Sequence, residues 1–424
     1  MPNKKPKAPI IAWCLYDWAC ASFSIIVTTF IFATYFTTKV AQDPIIGTYQ
    51  WANAMALAGI IIALSSPLVG AIADHGGHHK RWLFFLTSLC VISTALLWFA
   101  YPNVHAVYFT LACVVVGTVG LEVALVFYNA FLVHLAPKKY IGRISGWGWG
   151  SGYLGGILAL TLALILFVKS NIFGLNTKTL ADIRICGPFA ALWYALFALP
   201  FFFIVKPIPS GSETFPSAIK LGWRELMTTL KRLPSEKNIF LYLIAHMIYA
   251  DGLNTLFIFG GIYAAGTYGL TFEEVLQLGI SMNIAAGLGA ITLGWMDDYL
   301  GSKKTILVSL ACLITLALPL LFLHDKYIFW VVASILCIFV GPVQAASRSL
   351  MVRLIPEATS TEMFGLYALS GKITAFIGPW LLGIMTLTFD SQRVGMATIL
   401  VFFALGACLL LPVQEPKRDL NFAL

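Results

Sequence analysis

Long apolar runs separated by short polar loops make up most of this chain of 424 residues. At a rise of about 1.5 Å per residue, each run is long enough to cross a hydrocarbon core roughly 30 Å thick as a helix. Strands are not expected, because a lone strand in lipid would leave its backbone groups unpaired. The pattern predicts twelve spans, each end placed to within about three residues, at 10–38, 51–73, 82–101, 104–134, 144–168, 187–205, 238–264, 273–296, 304–323, 328–352, 364–388 and 394–413.

The composition agrees with a membrane protein that crosses the bilayer many times. Hydrophobic residues make up 59% of the chain and charged residues 11%, about half the charged fraction of an average soluble domain. A soluble protein of this composition could not cover its surface with polar groups, whereas a polytopic membrane protein does not need to.

The lysines and arginines fall unevenly on the two sides of the predicted spans. Nineteen lie at the two ends of the chain and in the loops that follow even-numbered spans, and six lie in the opposite loops. The positive-inside rule therefore predicts that both termini are cytoplasmic. The net charge of +8 then reflects topology and contact with anionic lipid headgroups, and it does not indicate a nucleic-acid partner.

One loop motif occurs twice, half a chain apart. GAIADHGGHHKR and GWMDDYLGSKK share a Gly, an Asp four residues later and a Gly three residues after that, which gives the pairs Gly70/Gly294, Asp74/Asp298 and Gly77/Gly301. Pro137 and Gly146 are likewise repeated as Pro356 and Gly365. The repeats predict two parallel six-span halves, residues 1–205 and 238–424.

The polar segment 206–237 joins the predicted halves. Its apolar residues follow a helical spacing with cations between them, as in Ile219, Trp223, Leu226 and Leu230. This pattern predicts an amphipathic helix on the cytoplasmic surface.

The repeated loop resembles the signature of the major facilitator superfamily. The chain resembles the vacuole-effluxer branch in YDWA at Tyr16, ADG..NT around Asp251, AGLGA at Ala286, GWMDD at Gly294, ASRSLM at Ala346 and FGLYALSGK at Phe364. The resemblance implies an all-α fold of two pseudo-symmetric halves and a secondary active transporter working by alternating access. Cys20 stands where that family usually has Asn, while the matching Asn254 is kept.

The resemblance also implies a cytoplasmic gate between the halves. Asp298 is expected to contact the start of the fifth span, near 142–148, and Asp74 the start of the eleventh, near 361–367. The competing interpretation is that these are ordinary inside loops whose cations serve topology alone. The expected gate residues are Gly70, Asp74, Gly77, Gly294, Asp298, Gly301 and Arg348.

Charged residues inside the spans are candidates for binding a solute or a coupling ion, because charge in hydrocarbon is costly. Asp17, Glu122, Asp251 and Lys372 lie within predicted spans, and Asn254 follows one turn after Asp251. Two roles stay open for the acidic residues, namely proton or substrate binding and static ion pairs that hold the packing.

Amino acids are the expected solute, and proton coupling is an open question. An alternative within transporters is a carrier of carboxylate-rich metabolites or siderophores, with Lys372 and Arg348 as anion contacts. A membrane-embedded enzyme or lipid-handling protein is a more remote alternative, because the chain has neither His-Glu-x-x-His nor a nucleophile elbow.

Cofactors and metals are not expected. The neighbouring His75, His78 and His79 lack a partner cluster, and they are expected to be exposed weak cations near lipid headgroups. The glycines after Gly146 should let a neighbouring helix approach the fifth span closely, and Gly378-Pro379 should kink the eleventh. We expect a monomer in a bacterial inner membrane.

Overall fold

The computed structural model describes residues 7–169, 172–208, 213 and 215–416. Within these residues there is no strand, and twelve helices are long and apolar enough to cross a membrane. They are α1 Lys7–Val40, α2 Pro44–Gly76, α3 His79–Phe99, α4 Val104–Leu135, α5 Ile141–Lys169, α6 Ala181–Ile204, α7 Lys237–Tyr268, α8 Glu273–Leu300, α9 Ser302–Leu320, α10 Lys326–Leu354, α11 Glu357–Phe389 and α12 Gln392–Leu410. The predicted all-α, twelve-span fold is confirmed. The N-terminal Lys4 and Lys5 and the tail cations Lys417 and Arg418 lie outside the described residues.

Five predicted helix ends are wrong by more than three residues: the starts of α2, α6 and α11 and the ends of α7 and α8. The helices continue past the apolar run and end where the backbone finds a cap. At the start of α2, for example, Asp43 Oδ1 accepts hydrogen bonds from the backbone N–H groups of Ile45 and Ile46 at 2.8 and 2.9 Å. A hydrophobic pattern does not register such a cap.

The GWMDDYLGSKK stretch is not the loop that the sequence suggested. α8 continues to Leu300 and α9 begins at Ser302, so Gly301 alone separates them, with a φ of 106°. Gly77 takes the same role after α2, with a φ of 72°. Both turns need a backbone conformation that favours glycine, and the two aspartates of α8 therefore lie on a rigid last turn.

The chain forms two helical groups, α1–α6 and α7–α12, which we call the N-terminal and C-terminal halves. They meet mainly where α5 lies along α8 and where α2 lies along α11. We call the side that carries the ends of α2, α4, α8 and α10 the terminal face. An amphipathic helix at Phe215–Arg232, the linker helix, packs on this face against the end of α2, confirming that the linker segment is helical.

Aromatic rings anchor α1 in the N-terminal half. Trp13 stacks on Tyr128 of α4 with ring centroids 4.6 Å apart. The Tyr16 hydroxyl lies 2.6 Å from Thr87 Oγ1 of α3 and 2.9 Å from the Tyr194 hydroxyl of α6. These contacts set the rotation of α1 and hence the direction of its charged residue, Asp17.

Glycines bring α5 against both halves, as the sequence predicted. A methyl group at Gly146 would lie 2.2 Å from the carbonyl oxygen of Ala290 in α8, and one at Gly155 would lie 2.6 Å from the carbonyl oxygen of Trp18 in α1. Any larger residue would push these helices apart. The predicted kink in α11 is also present, as an interruption of the helix at 373–376 just before Gly378.

Candidate functional site

Two helices on the terminal face begin without a cap of their own. Tyr140 precedes α5, and Thr359 precedes Ser360, where the α-helical part of α11 begins after a short 3₁₀ turn at Glu357–Thr359. Neither residue provides a side-chain acceptor to the turn that follows it. On the opposite face, by contrast, Asp43, Thr271 and Asp325 cap α2, α8 and α10. First-turn N–H groups carry partial positive charge and need acceptors. For α5 and α11 the acceptors come from the other half of the protein.

Asp298, at the end of α8, caps α5. Its Oδ1 accepts from the backbone N–H of Gly142 at 2.8 Å, and its Oδ2 accepts from the Arg143 backbone N–H at 3.3 Å and from Arg143 Nε at 2.5 Å. Arg353 of α10 lies 3.9 Å from Oδ1. The carboxylate is only 4% exposed. The contact places one buried negative charge between a helix N-terminus and two cations.

Asp74, at the end of α2, makes the matching contact with α11. Its Oδ2 accepts from the backbone N–H of Glu362 at 2.8 Å, and its Oδ1 lies 3.3 Å from the N–H of Thr361 and 3.0 Å from His79 Nε2. Both aspartates of the repeated motif thus cap a helix of the opposite half. Asp298 has an arginine side chain at hydrogen-bond distance, whereas Asp74 has an imidazole.

The glycines of the motif divide into two structural roles. Gly70 and Gly294 allow close approach: a methyl group at Gly70 would lie 2.5 Å from the Thr361 carbonyl oxygen, and one at Gly294 would lie 3.0 Å from the Arg143 Cα. Gly77 and Gly301 instead form the turns after α2 and α8.

The expectation that the three histidines are exposed is wrong for His79 and incomplete for His75. His79 is buried against Asp74, and His75 forms an ion pair with Glu225 of the linker helix. The linker helix contacts His75, and the start of α11 contacts Asp74 beside His79; the sequence could not show either contact. His78 is exposed. No group of three or more possible ligands for a metal ion occurs in the described part of the chain.

Arg348 of α10 also joins the halves, farther from the terminal face than Asp298. Its Nη1 lies 3.0 Å from Asp17 Oδ2 and 3.3 Å from Asn129 Oδ1. Its Nε and Nη2 donate to the hydroxyl and the carbonyl of Ser145 at 2.9 and 2.7 Å. The guanidinium also lies 4.6 Å from the centre of a Trp13 ring. The side chain is 3% exposed, so a C-terminal cation is held entirely by N-terminal groups.

Glu122 of α4 and Lys372 of α11 pair across the halves near mid-membrane. Lys372 Nζ donates to Glu122 Oε1 at 2.8 Å. Glu122 lies 13 residues from the end of α4, or about 20 Å at 1.5 Å per residue. The two side chains keep 26% and 31% of their surface exposed. Unlike the Arg348 pair, this ion pair is only partly buried.

Asp251 of α7 has its hydrogen-bond partner within the C-terminal half. Its Oδ2 accepts from the Gly378 N–H at 3.1 Å, so it caps the second part of α11 after the interruption. Its Oδ1 is buried without a hydrogen-bond partner among the described residues, and the residue is 2% exposed. Asn254 is half-buried, while Cys20 is buried, with its thiol 3.5 Å from the Asp17 carbonyl.

Comparison with known proteins identifies the family of this chain. The profile of the family described as "Vacuole effluxer Atg22 like" matches residues 52–421. The chain belongs to the Atg22-like vacuole effluxer family.

Curated relatives of this Atg22-like chain are transporters or autophagy proteins by name. It is 26% identical over 411 residues to a protein of Bacillus subtilis (strain 168) named as an uncharacterized MFS-type transporter, YxiO, covering 95% of this chain and 94% of that protein. It is 23% identical over 311 residues to autophagy-related protein 22-1 of Aspergillus fumigatus, covering 66% of this chain but 50% of that protein.

Solved structures show the same fold. The proton:xylose symporter XylE matches with a TM-score of 0.75 at 11% identity, over 98% of both chains. FucP in its outward conformation matches with a TM-score of 0.77 at 13% identity, over 96% of this chain and 99% of that one. Together with the family match, the MFS-type relative and the twelve apolar helices, the shared fold makes the Atg22-like chain an integral, multi-pass membrane protein and a secondary transporter of the major facilitator superfamily, and not an enzyme.

Sequence reasoning missed part of the contact between the halves and the groups around it. In the sequence, Arg353 is only one of the cations on the predicted inside. In the structure its Nη1 lies 2.9 Å from Asp297 Oδ1 and 2.6 Å from Glu415 Oε1. Tyr153 of α5 donates to Gln344 Oε1 of α10 at 2.5 Å. The repeated motif pointed to the region of Arg353, whereas no local pattern marks the tyrosine–glutamine pair.

Proposed function

We propose that the protein moves amino acids by alternating access and that Glu122 and Lys372 form the solute site. The observation that carries the proposal is their part-exposed ion pair between the halves. A free amino acid has an ammonium and a carboxylate close together. It can bind both side chains at once, the ammonium on Glu122 and the carboxylate on Lys372, with charge-assisted hydrogen bonds replacing the one that is broken.

The charges of this pair discriminate between classes of solute. A neutral solute would separate the pair without neutralising either charge. A solute of one charge would leave one of the two side chains without a counter-charge in a poorly solvated site, and that loss is costly. A zwitterion leaves neither unpaired. The carboxylate-rich alternative has less support, because Arg348, its second expected anion contact, is buried on Asp17, and because Glu122 would repel an anion.

Asp251 is the coupling residue in this proposal. It is buried, and its Oδ1 has no hydrogen-bond partner among the described residues, so it is the acidic group that we propose takes and releases the coupling proton. Lys372 lies just before the interruption of α11. Gly378 lies just after it and donates its backbone N–H to Asp251. A solute on Lys372 and a proton on Asp251 therefore act on the same interruption, one from each side, which would link the two binding events.

Transport in proteoliposomes tests the solute site. Counterflow with a panel of radiolabelled amino acids, sugars and dicarboxylates should detect at least one amino acid. Glu122→Gln should raise the apparent KM about 10- to 100-fold, because a hydrogen bond to a charged group contributes about 1.5–3 kcal/mol. The control is Glu274→Gln, which breaks the similarly exposed ion pair of Glu274 with Lys326 inside the C-terminal half and should leave KM unchanged.

The same vesicles test the coupling residue. Asp251→Asn should keep counterflow and lose uptake driven by a pH gradient. Counterflow of sugars or dicarboxylates alone would refute the amino-acid proposal, and equal KM values in Glu122→Gln and wild type would remove Glu122 from the site. A wild-type response of Asp251→Asn to the pH gradient would show that protons couple elsewhere.

We further propose that the protein lies in a bacterial inner membrane, and the cation count supports an orientation with the terminal face and both termini in the cytoplasm. Positions 178 and 213 lie on opposite sides in this arrangement, and both residues are exposed. In a cysteine-free background, a thiol reagent that cannot cross the membrane should label a cysteine at position 178 in intact cells and spare one at 213. Labelling at 213 in intact cells would reverse the orientation.

A further inference from the structure

The linker helix fastens one half of the transporter to the other. Its Gly222 lies against the backbone of Ile72 near the end of α2, and its Glu225 pairs with His75. One turn further on, the Thr229 hydroxyl lies close to the carboxylate of Glu362 in α11. The backbone N–H of Glu362 is also the donor that Asp74 accepts. The linker helix therefore touches both partners of the α2–α11 contact.

The linker helix carries an exposed apolar stripe beside its packed side. Ile219, Trp223 and Leu230 are 42%, 54% and 39% exposed. At about 100° per residue, these three form one stripe centred roughly 60° around the helix from the buried residues Gly222 and Leu226.

Cations border this stripe. Lys220, Arg224 and Lys231 follow it around the helix, and all three are exposed. An apolar stripe beside cations, at the end of a membrane-spanning helix, is the arrangement of helices that lie in the headgroup region of a bilayer.

We propose that this surface binds anionic lipid headgroups and that the binding favours closure of the terminal face. The occupant follows from charge and position: the three cations attract anionic headgroups, and the apolar stripe can enter the bilayer boundary beside α2. Lipid binding fixes the linker helix in the place where Glu225 and Thr229 hold α2 and α11 together. If the halves separate on this face, the linker helix cannot keep both contacts, so lipid that immobilises it opposes opening.

Nanodiscs of phosphatidylcholine, with or without phosphatidylglycerol, test the proposal without any solute. Two spin labels, in the α4–α5 and α10–α11 loops of a cysteine-free protein, report the distance across the terminal face. Phosphatidylglycerol should raise the ratio of closed to open protein about fivefold or more, the effect expected of one cation near an anionic surface. The variant Lys220→Gln/Arg224→Gln/Lys231→Gln should lose this response.

A matched variant separates the linker helix from net charge. Lys7→Gln/Arg81→Gln/Lys304→Gln removes three exposed cations from the same face away from the linker helix and should respond to phosphatidylglycerol as wild type does. Equal loss in the two triple variants, or no response in wild type, would overturn the proposal.

A spin label at position 230 tests the occupant itself. In phosphatidylglycerol nanodiscs it should be relaxed by oxygen and protected from a water-soluble nickel complex. Accessibility of the label to the nickel complex would show that the stripe faces water and would refute lipid binding. The stripe would then be a candidate surface for a protein partner or for a second copy of the chain. Glu225→Gln should keep this protection while losing the effect of lipid on closure; an unchanged effect would refute the coupling.

Discussion

Replacing Arg348 with glutamine is expected to open the terminal face. In the closed arrangement Arg348 is the cation for Asp17, whose side chain is only 13% exposed. Removing one partner of a buried pair costs about 3–5 kcal/mol, because the other charge stays buried without compensation. Once the halves separate on this face, Asp17 can meet water and most of that cost disappears. The ratio of open to closed protein should therefore rise by a factor of about 100 or more, and the transport rate should fall sharply.

Distances between spin labels across the terminal face measure this shift. Asp17→Asn/Arg348→Gln should restore much of the closed form, because neither charge then remains. Arg184→Gln is the matched control: Arg184 is also 3% exposed, but it donates to the Trp98 carbonyl inside the N-terminal half. That variant should destabilise the fold without changing the distances. Closed-form distances in Arg348→Gln would show that the pair does not hold the halves together.

Asp298→Asn is expected to shift the same equilibrium, by less. The substitution keeps the shape of the side chain but removes the negative charge that faces the N-terminus of α5 and the Arg143 side chain. A carboxylate in such a partly buried place contributes up to about 2 kcal/mol, so the open form should gain about 5- to 30-fold. Asp74→Asn should have a smaller effect, because its side-chain partner is the His79 imidazole in place of an arginine.

The control for both aspartates is Asp43→Asn. Asp43 caps the start of its own helix, α2, on the opposite face, so the variant should leave the distances across the terminal face unchanged. A larger opening in Asp74→Asn than in Asp298→Asn would show that the α2–α11 contact is the stronger one. Unchanged distances in both variants would mean that the caps do not contribute to closure.

Part of the candidate site could be read from the sequence because the motif repeats. Two copies of a Gly–Asp–Gly spacing at equivalent span ends imply equivalent contacts, and the structure has both Asp74 and Asp298 at a helix start of the other half. The burial of His79 could not be read in the same way, because its surroundings include Phe127 of α4 and, through Asp74, the start of α11, whose positions depend on how the helices pack.

The charged residues inside the spans show the same division. Asp17, Glu122, Arg348 and Lys372 were identifiable one by one, since charge in hydrocarbon is unusual wherever it occurs. Their partners were not identifiable. From the sequence, Asp17 was expected among the solute candidates and Arg348 in the gate. In the structure the two side chains form a hydrogen-bonded ion pair, although they are 331 positions apart in the chain.

The sequence by itself determined the membrane class, the number of helices, the duplication and the presence of an amphipathic linker. Each of these depends on composition or on a short-range period, and the bilayer forces long apolar runs to be helical because lipid offers no hydrogen-bond partners. Only the tertiary structure decided which charges pair, which helix starts borrow a cap from the opposite half, and that one Asp251 oxygen has no hydrogen-bond partner among the described residues. Those outcomes depend on how each helix is rotated about its axis and how closely glycines such as Gly146 let two helices approach, and neither quantity is a local property of the chain.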